Sequence, residues 1–387
     1  MATPPAPSPT LDERPTADAP DFRAVVVTDL DDEAPWARWR ALAESGVATP
    51  FQTVAFTRPL LTRLAPAFGA RPLVVEVHEG DTPVLSLALV QRRGWVSRRI
   101  EFADFGLTDL AAPIWRRDLD LSGRRADALR RAVLAALPPH DAMLLAKMPT
   151  DVDGAPNPLA DWPGTAAMNV FTMLYDPAKR PVADLSAVKE SGRKRRKLDR
   201  DGGALRRVDD LDRALDLLDF AFALRAEKAE RDGRRESLER PEVRAFYREV
   251  VTAGLADGSA AVWEAVLGER TIGMVHGLAH DGRFNGTLMA TVEDDGLHVY
   301  SPGMIAVATV LEHHVANGGR LFDLGVGELP YKLRFGAEPA PLVEYARPAT
   351  PLGLWALADR RLRARVRGEL RRRPDLRARI YRLLGKA

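Results

Sequence analysis

The chain has 387 residues, of which 46% are hydrophobic and 28% charged, with 56 Lys/Arg against 54 Asp/Glu and no cysteine. That length holds two or three domain-sized units with ample core. The lack of cysteine excludes disulfides, thiolate metal sites and cysteine nucleophiles, and a net charge of +2 confines any attraction for nucleic acid or membrane to local patches.

Residues 1–21 are proline-rich and carry several acids, without a basic stretch leading into an apolar core. They read as a disordered tail and not as a secretory signal, in a protein expected in the cytoplasm. The stretch "LVVEVHEGDTPVLSLAL" (73–89) has two β-rich runs around a glycine-containing polar turn, the mark of a hairpin. "AVWEAVLGERTIGMVHG" (261–277) lies over it at a constant offset of 188 residues, with Glu76 on Glu264, Gly80 on Gly268, Asp81 on Glu269 and Val84 on Ile272. In each half a helical segment precedes the hairpin and a mixed segment follows. The fold class expected is α/β, with two related domains of mixed α+β sheets at 22–165 and 166–346, joined near "DVDGAPNPLADWPG".

In the second half, 211–230 carries apolar residues at helical spacing, and "PEVRAFYREVVTAGLADG" reads as a helix closed by glycine. After the hairpin come a strand, "RFNGTLMATV", and a helix from Ser301 to about Asn317. "RLFDLG" reads as a short strand, "VGELP" as a turn and "YKLRFG" as another strand. A strand feeding a helix that returns to a strand places ligands at the carboxyl ends of the strands. At the junction "HVYSPGMIAV", Ser301 suits an N-cap and Pro302 the first helical position. Gly303 removes side-chain bulk, so the N–H groups of Gly303, Met304 and Ile305 are candidates for an anion site. No acidic side chain follows until Glu312, which leaves the helix dipole free to act; plain capping is the alternative.

"SPGM" with its helix, followed by "FDLGVGELPYKLRFG" (322–336), resembles the closing motif of the CelD-like branch of the GNAT acyltransferase superfamily. "VKESGRKRRKLDRDGGALRRV" (188–208) resembles the segment that opens the second domain of that family. The resemblance covers about 30–345. It implies two tandem GNAT-like acyl-CoA N-acyltransferase domains, an arrangement shared with Fem-type peptidyltransferases. It also implies transfer of an acyl group from acyl-CoA, as cosubstrate, to a small-molecule or peptide-like amine. The carrier's pyrophosphate would lie on Ser301, Pro302, Gly303, Met304 and Ile305.

Such a transfer needs a neutral amine, a place for the oxyanion and a proton donor for the leaving thiolate. His276 is the candidate base, present only in the second repeat, where the first has Ala88; a packed strand histidine is the alternative. Asp323 and Lys332 are expected on neighbouring strands around the "GVGE" turn, orienting the acceptor or forming a structural salt bridge. Tyr331 is a candidate acid, and Arg334, on the strand face of Lys332, a candidate carboxylate or phosphate ligand. Asp104 and Asp109 in "FADFGLTDL" would reach the acceptor from the first domain or serve as turn formers. No metal is expected, since His276 and His280 sit in a strand-and-turn pattern and His313-His314 suit a helix C-terminus.

"KESGRKRRKLDR" packs seven Lys/Arg into twelve residues, and twelve more lie between Arg360 and the end of the sequence. Residues 347–387 read as a basic helical tail split at Pro374, with an apolar stripe of Leu362, Val366 and Leu370. The tail either docks on the body or makes a membrane-surface or RNA contact. Two other readings therefore stand beside the acyl-CoA one. One is a Fem-type transferase using aminoacyl-tRNA; the other is a non-catalytic protein of the same fold bound to membrane or nucleic acid.

Overall fold

The computed structural model describes residues 22–233 and 237–372. The expected tail at 1–21 and the break at Pro374 lie outside those residues, as do the side chains of Val366 and Leu370. The first half runs β1 (Phe22–Val27), α1 (Glu33–Ser45), α2 (Val54–Pro59) and α3 (Ala65–Ala67), with a π-turn between the last two. Then come β2 (Ala70–Glu79), β3 (Thr82–Arg93), β4 (Arg98–Phe102), β5 (Ile114–Trp115), α4 (Arg125–Ala136) and β6 (Ala142–Pro149). A two-stranded ribbon, β7 (Asp151–Val152) and β8 (Ala155–Pro156), leads to β9 (Thr165–Tyr175).

The second half repeats the order. It runs α5 (Ser186–Arg200), β10 (Gly203–Val208), α6 (Leu211–Arg231), α7 (Pro241–Asp257), β11 (Ala260–Leu267), β12 (Arg270–His280) and β13 (Arg283–Thr291). It closes with α8 (Pro302–Ala316), β14 (Leu321–Val326), α9 (Pro330–Arg334), β15 (Glu338–Pro348) and α10 (Pro351–Arg372). The fold is α/β with one large mixed sheet, ordered β1-β2-β3-β4-β6-β15-β9-β14-β13-β12-β11-β10. Read from its two ends, the sheet has the same succession in each half. Two antiparallel hairpin strands follow an edge strand, and the next strand lies parallel to one that arrives through a helix. The pair related by the 188-residue offset falls on β2–β3 and β11–β12, the same places in the two halves. The innermost strands join the halves: β15, the last strand in sequence, pairs with β6 and with β9, and β9 pairs with β14.

One apolar cluster joins the helices of both halves, with Phe56 of α2 edge-on to Phe246 of α7 at 5.2 Å. α4 covers a second cluster on the first half, and α8 a third on the second half. The aligned glutamates explain part of the repeat. Glu76 is buried under Arg38 of α1, with both nitrogens 3.0 Å from the carboxylate. Glu264 is buried under Arg213 of α6 and also accepts from Arg206 at 2.9 Å and Thr271 at 2.8 Å. Each half therefore ties the helix that follows its edge strand to its second sheet strand through a guanidinium on a buried carboxylate. Burial pushes the Glu264 carboxyl up, but the hydrogen bonds from Arg213, Thr271 and Arg206 outweigh it and hold the group below its usual range.

Removing one member of such a pair strands the other. Arg213→Met is expected to cost about 2–3 kcal/mol at pH 7, because Arg206 still contacts the carboxylate. The deficit should shrink below the usual carboxylate range, where protonation of Glu264 removes the uncompensated charge. Denaturant titrations at pH 7 and pH 4 check this, and an equal deficit at both would contradict it.

Candidate active site

The chemistry-bearing residues gather where the sheet stops being continuous. β13 and β14 pair in parallel over three residues only, Arg283–Leu321, Phe284–Phe322 and Asn285–Asp323. Beyond Asn285, β13 stays with β12 while β14 stays with β9, so a wedge opens toward their carboxyl ends. A Cβ placed on Gly286, just past the last pair, would meet nothing within 4 Å. β13 is also bulged there: the register passes from Gly277–Gly286 to His276–Leu288, leaving Thr287 as the extra residue. A bulge of this kind frees backbone groups from the ladder and re-aims the side chain.

Phe284 and Phe322 face the cluster beneath α8, whereas Leu278 and Leu288 face the cluster beneath α6 and α7. Alternation then puts His276, Asn285 and Asp323 on the α6/α7 side of the sheet. At this apex several buried atoms lack a protein partner: both amide atoms of Asn285, Oδ2 of Asp323 and Nε2 of His276. Unpaired polar atoms in such a group are costly and call for a ligand or ordered water. Asp323 Oδ1 accepts from Thr172 at 2.5 Å and from the Gly325 N–H at 2.7 Å, and burial pushes its carboxyl up. His276 Nδ1 lies 2.7 Å from Thr287 Oγ1, and the ring is edge-on to Tyr247 at 6.0 Å. Burial pushes the imidazole down to about 4, so it is neutral near pH 7.

The first half reaches into the same place through the loop after β4. Thr287, Leu288 and Tyr247 line a cavity of about 130 Å³ together with Asp109, Phe51 and Arg225. Gly325 of β14 has φ +81, and a Cβ there would stand 2.8 Å from Asp109 Oδ2. Glycine is required on both counts. Asp109 thus stands between the end of β14 on one side and the cavity beside β13 on the other. Burial raises its carboxyl above the usual range, against the pull of Lys147, the Val326 N–H and Lys332. Asp104 is used differently: it accepts from the Gly106 and Thr108 N–H groups at 3.1 and 3.2 Å, and Lys147 Nζ sits 3.0 Å away. Its role is that of the turn former.

Three expectations from the sequence need correction. "YKLRFG" is not a strand, for Pro330–Arg334 forms the short helix α9. The alternation of apolar and polar residues misled, because Pro330 starts the helical turn and Lys332 folds back onto the preceding loop. Lys332 Nζ donates to the carbonyls of Gly325, Val326 and Gly327 at 3.0, 3.2 and 2.9 Å. It makes no salt bridge with Asp323 among the described residues; burial pushes its pKa down while Asp109 and Asp323 pull it up. Arg334 does not share a strand face with Lys332 but is exposed and pairs with Glu190 of α5. Tyr331 packs edge-on to Phe335 at 6.4 Å and has no hydrogen-bond partner among the described residues. Burial raises its pKa, so it keeps its proton.

The third correction concerns the start of α8. Ser301 does not cap with its side chain; it lies in the left-handed region at φ 50, uncommon for a residue with a Cβ. Its carbonyl accepts from both Met304 and Ile305 N–H groups, at 3.0 and 3.1 Å, so those two donors are spent within the helix. Only the Gly303 N–H is left without an acceptor among the described residues. Lys194 of α5 stands beside it, donating to Ser301 Oγ at 2.8 Å and pairing with Glu190 at 2.9 Å. The anion site read from "SPG" therefore reduces to one N–H and one ammonium brought in by the basic helix. Asn285 was missed altogether, although an asparagine inside a β-rich run is a signal. A larger cavity of about 500 Å³ lies by Trp263, His280 and His313. It holds none of the unpaired atoms of the wedge.

Residues 186–333 match the family model described as an acetyltransferase (GNAT) domain. The crystal structure of FemX is similar in fold, with a TM-score of 0.55 at 10% identity over 80% of this chain and 95% of that one. The structure of L-PGS from Bacillus licheniformis gives 0.52 at 11% identity, over 86% of this chain and 96% of that one. A tandem GNAT protein from the clavulanic acid biosynthesis pathway gives 0.45 at 15% identity, over 85% and 99%. No curated protein matches the sequence.

The buried histidine makes a pH prediction. Its folded pKa of about 4 lies below the 6.5 of an ordinary imidazole, so its contribution to stability is present above 6.5 and is lost as pH falls toward 4. The loss amounts to about 3 kcal/mol at most. His276→Asn keeps a nitrogen near Thr287 without the titration. Between pH 7 and pH 4.5 the parent should lose roughly 2 kcal/mol more unfolding free energy than the variant. Parallel losses in denaturant titrations would contradict the assignment.

Proposed function

We propose that the protein is an N-acyltransferase that moves an acyl group from acyl-CoA to an amine, with the reaction at the mouth of the β13–β14 wedge. The chain would act as two related units, 22–165 and 166–346, the second carrying the acyl-carrier site. One observation carries the reading: Asp109 of the first half and Thr287 of the second line one cavity beside the only part of β13 that has left its parallel partner. The match over 186–333 supports acyl transfer at a general level.

The residues present fit an acyl-CoA cosubstrate. The free Gly303 N–H and the Lys194 ammonium suit a phosphate, in keeping with a helix N-terminus that bears no acid. The thioester supplies the activated carbonyl, and the frayed edge of β13 supplies backbone groups to hold it. Asp109 is the better candidate for taking the acceptor's proton, because it lines the cavity and burial raises its carboxyl above the usual range, making it a stronger base. His276 does not line that cavity; its bond to Thr287 makes it a positioning residue for the bulge. Tyr331 keeps its proton and is the candidate donor to the departing thiolate. Asp323 would fix the wedge apex, and Lys332 the turn that Asp109 touches. The acceptor is an amine small enough to reach a cavity of about 130 Å³, or the end of a longer one.

Asp109→Asn is expected to lower turnover by on the order of a hundredfold, followed as free thiol released from acetyl-CoA with a panel of amines. The parent's rate should fall as pH drops through the raised carboxyl pKa, and that limb should vanish in the variant. Unchanged turnover would remove Asp109 from the mechanism.

Calorimetric titration tests the carrier separately. Lys194→Met should weaken coenzyme A binding by about tenfold, one charge-assisted hydrogen bond, while leaving the melting temperature unchanged. Steeply salt-dependent binding of aminoacyl-tRNA by the parent, without coenzyme A binding, would transfer the reading to the Fem-type alternative.

A further inference from the structure

The turn between β3 and β4 belongs to the sequence Arg92-Arg93-Gly94-Trp95-Val96-Ser97-Arg98-Arg99, and nothing in the fold covers its tip. Trp95 is 106% exposed, and Val96 is exposed beside it. A solvated tryptophan forgoes the burial of one of the largest apolar surfaces a side chain offers. α10 presents a second apolar patch. Gly353, Ala356 and Leu357 pack against the body, whereas Leu354, Trp355, Ala358 and Leu362 are exposed. The exposed four recur at i, i+1, i+4 and i+8, which is one face of a helix.

The two patches are fixed to each other through Asp141. Its carboxylate accepts from the Arg98 N–H at 2.6 Å and from the Thr350 hydroxyl at 2.9 Å. Its carbonyl accepts from the Ala349 and Thr350 N–H groups at 2.7 and 3.2 Å. Gly353 lies so close that a Cβ would stand 1.6 Å from that carbonyl oxygen. A groove of about 290 Å³, lined by Trp95, Val96, Asp141 and Leu352, runs between tip and helix. The surroundings are basic. Four arginines flank the tip, and α10 (Pro351–Arg372) carries seven arginines against two acids in its sequence. Arg93 and Arg347 have no ion-pair partner among the described residues.

We infer that the Trp95–Val96 tip and the outer face of α10 form a docking surface for an anionic lipid bilayer. Tryptophan settles at the depth of the headgroups, aliphatic side chains of an amphipathic helix enter the acyl boundary, and arginines reach back to lipid phosphates. The charge selects an anionic surface over a neutral one. RNA would use the arginines and the indole rings but has no use for the aliphatic Leu354 and Leu362. A second copy of the chain would bring the same positive charge against itself.

The test is co-sedimentation of the full chain with phosphatidylcholine vesicles, with and without phosphatidylglycerol. Binding is expected on the anionic vesicles, weaker on the neutral ones, and reduced by salt. Trp95→Ser and Trp355→Ser should each lower partitioning by about tenfold, with an unchanged melting temperature because both side chains are exposed. Undiminished vesicle binding by both variants would overturn the inference. So would binding of structured RNA without vesicle binding, or dimerisation that the substitutions abolish while vesicles are ignored.

Discussion

The candidate site depends on one limit in the hydrogen-bonded ladder: β13 and β14 pair over three residues and then part. Had the ladder continued, the backbone groups past Asn285 would be paired and no ligand could enter between the strands. The parting is enforced from both sides. The bulge at Thr287 holds β13 to β12, and the β14 backbone turns through Gly325 and Gly327, both at positive φ. Lys332 then fastens that turn by its three carbonyls. A desolvated ammonium satisfied only by backbone oxygens is an expensive device. Its use here indicates that the position of the turn matters more than the stability it costs.

The pairing of β9 with β15 at the centre of the sheet has a consequence for how the halves cooperate. Because β15 pairs with β6 on one side and with β9 on the other, the strands of the two halves form one continuous sheet. The helices of both halves also share one apolar cluster. Asp109 is therefore held against Gly325 by a continuous sheet and a common core, not by a flexible contact between separate bodies. The catalytic groups proposed in the two halves would need that rigidity, since small misplacements are costly in rate.

Much of the architecture was legible in the sequence because it repeats. Two hairpins at a fixed offset, each preceded by helices, announced two related halves, and the buried glutamates at 76 and 264 marked the same joint in both. The wedge was not legible, because three parallel pairs between residues 283–285 and 321–323 leave no local pattern. Lys332 was misplaced because Tyr331 to Phe335 alternate as a strand would, and only contacts with the 325–327 loop turn them into a helix. Ser301 looked like a cap by residue type, yet its backbone conformation turns the side chain to Lys194 instead. Asp109 was legible as a candidate, but what separates it from Asp104 in the structure, its burial and the approach of Gly325, sequence does not reveal.

In the proposed function an acyl carrier threads the opening between β13 and β14. A crystal structure with coenzyme A bound measures this directly. Phosphates are expected near the Gly303 N–H and Lys194, with the sulfur between the parted strands on the side of Asp109. Coenzyme A lodged instead beside Trp263 and His313, with the wedge closed by added strand pairing, would contradict it.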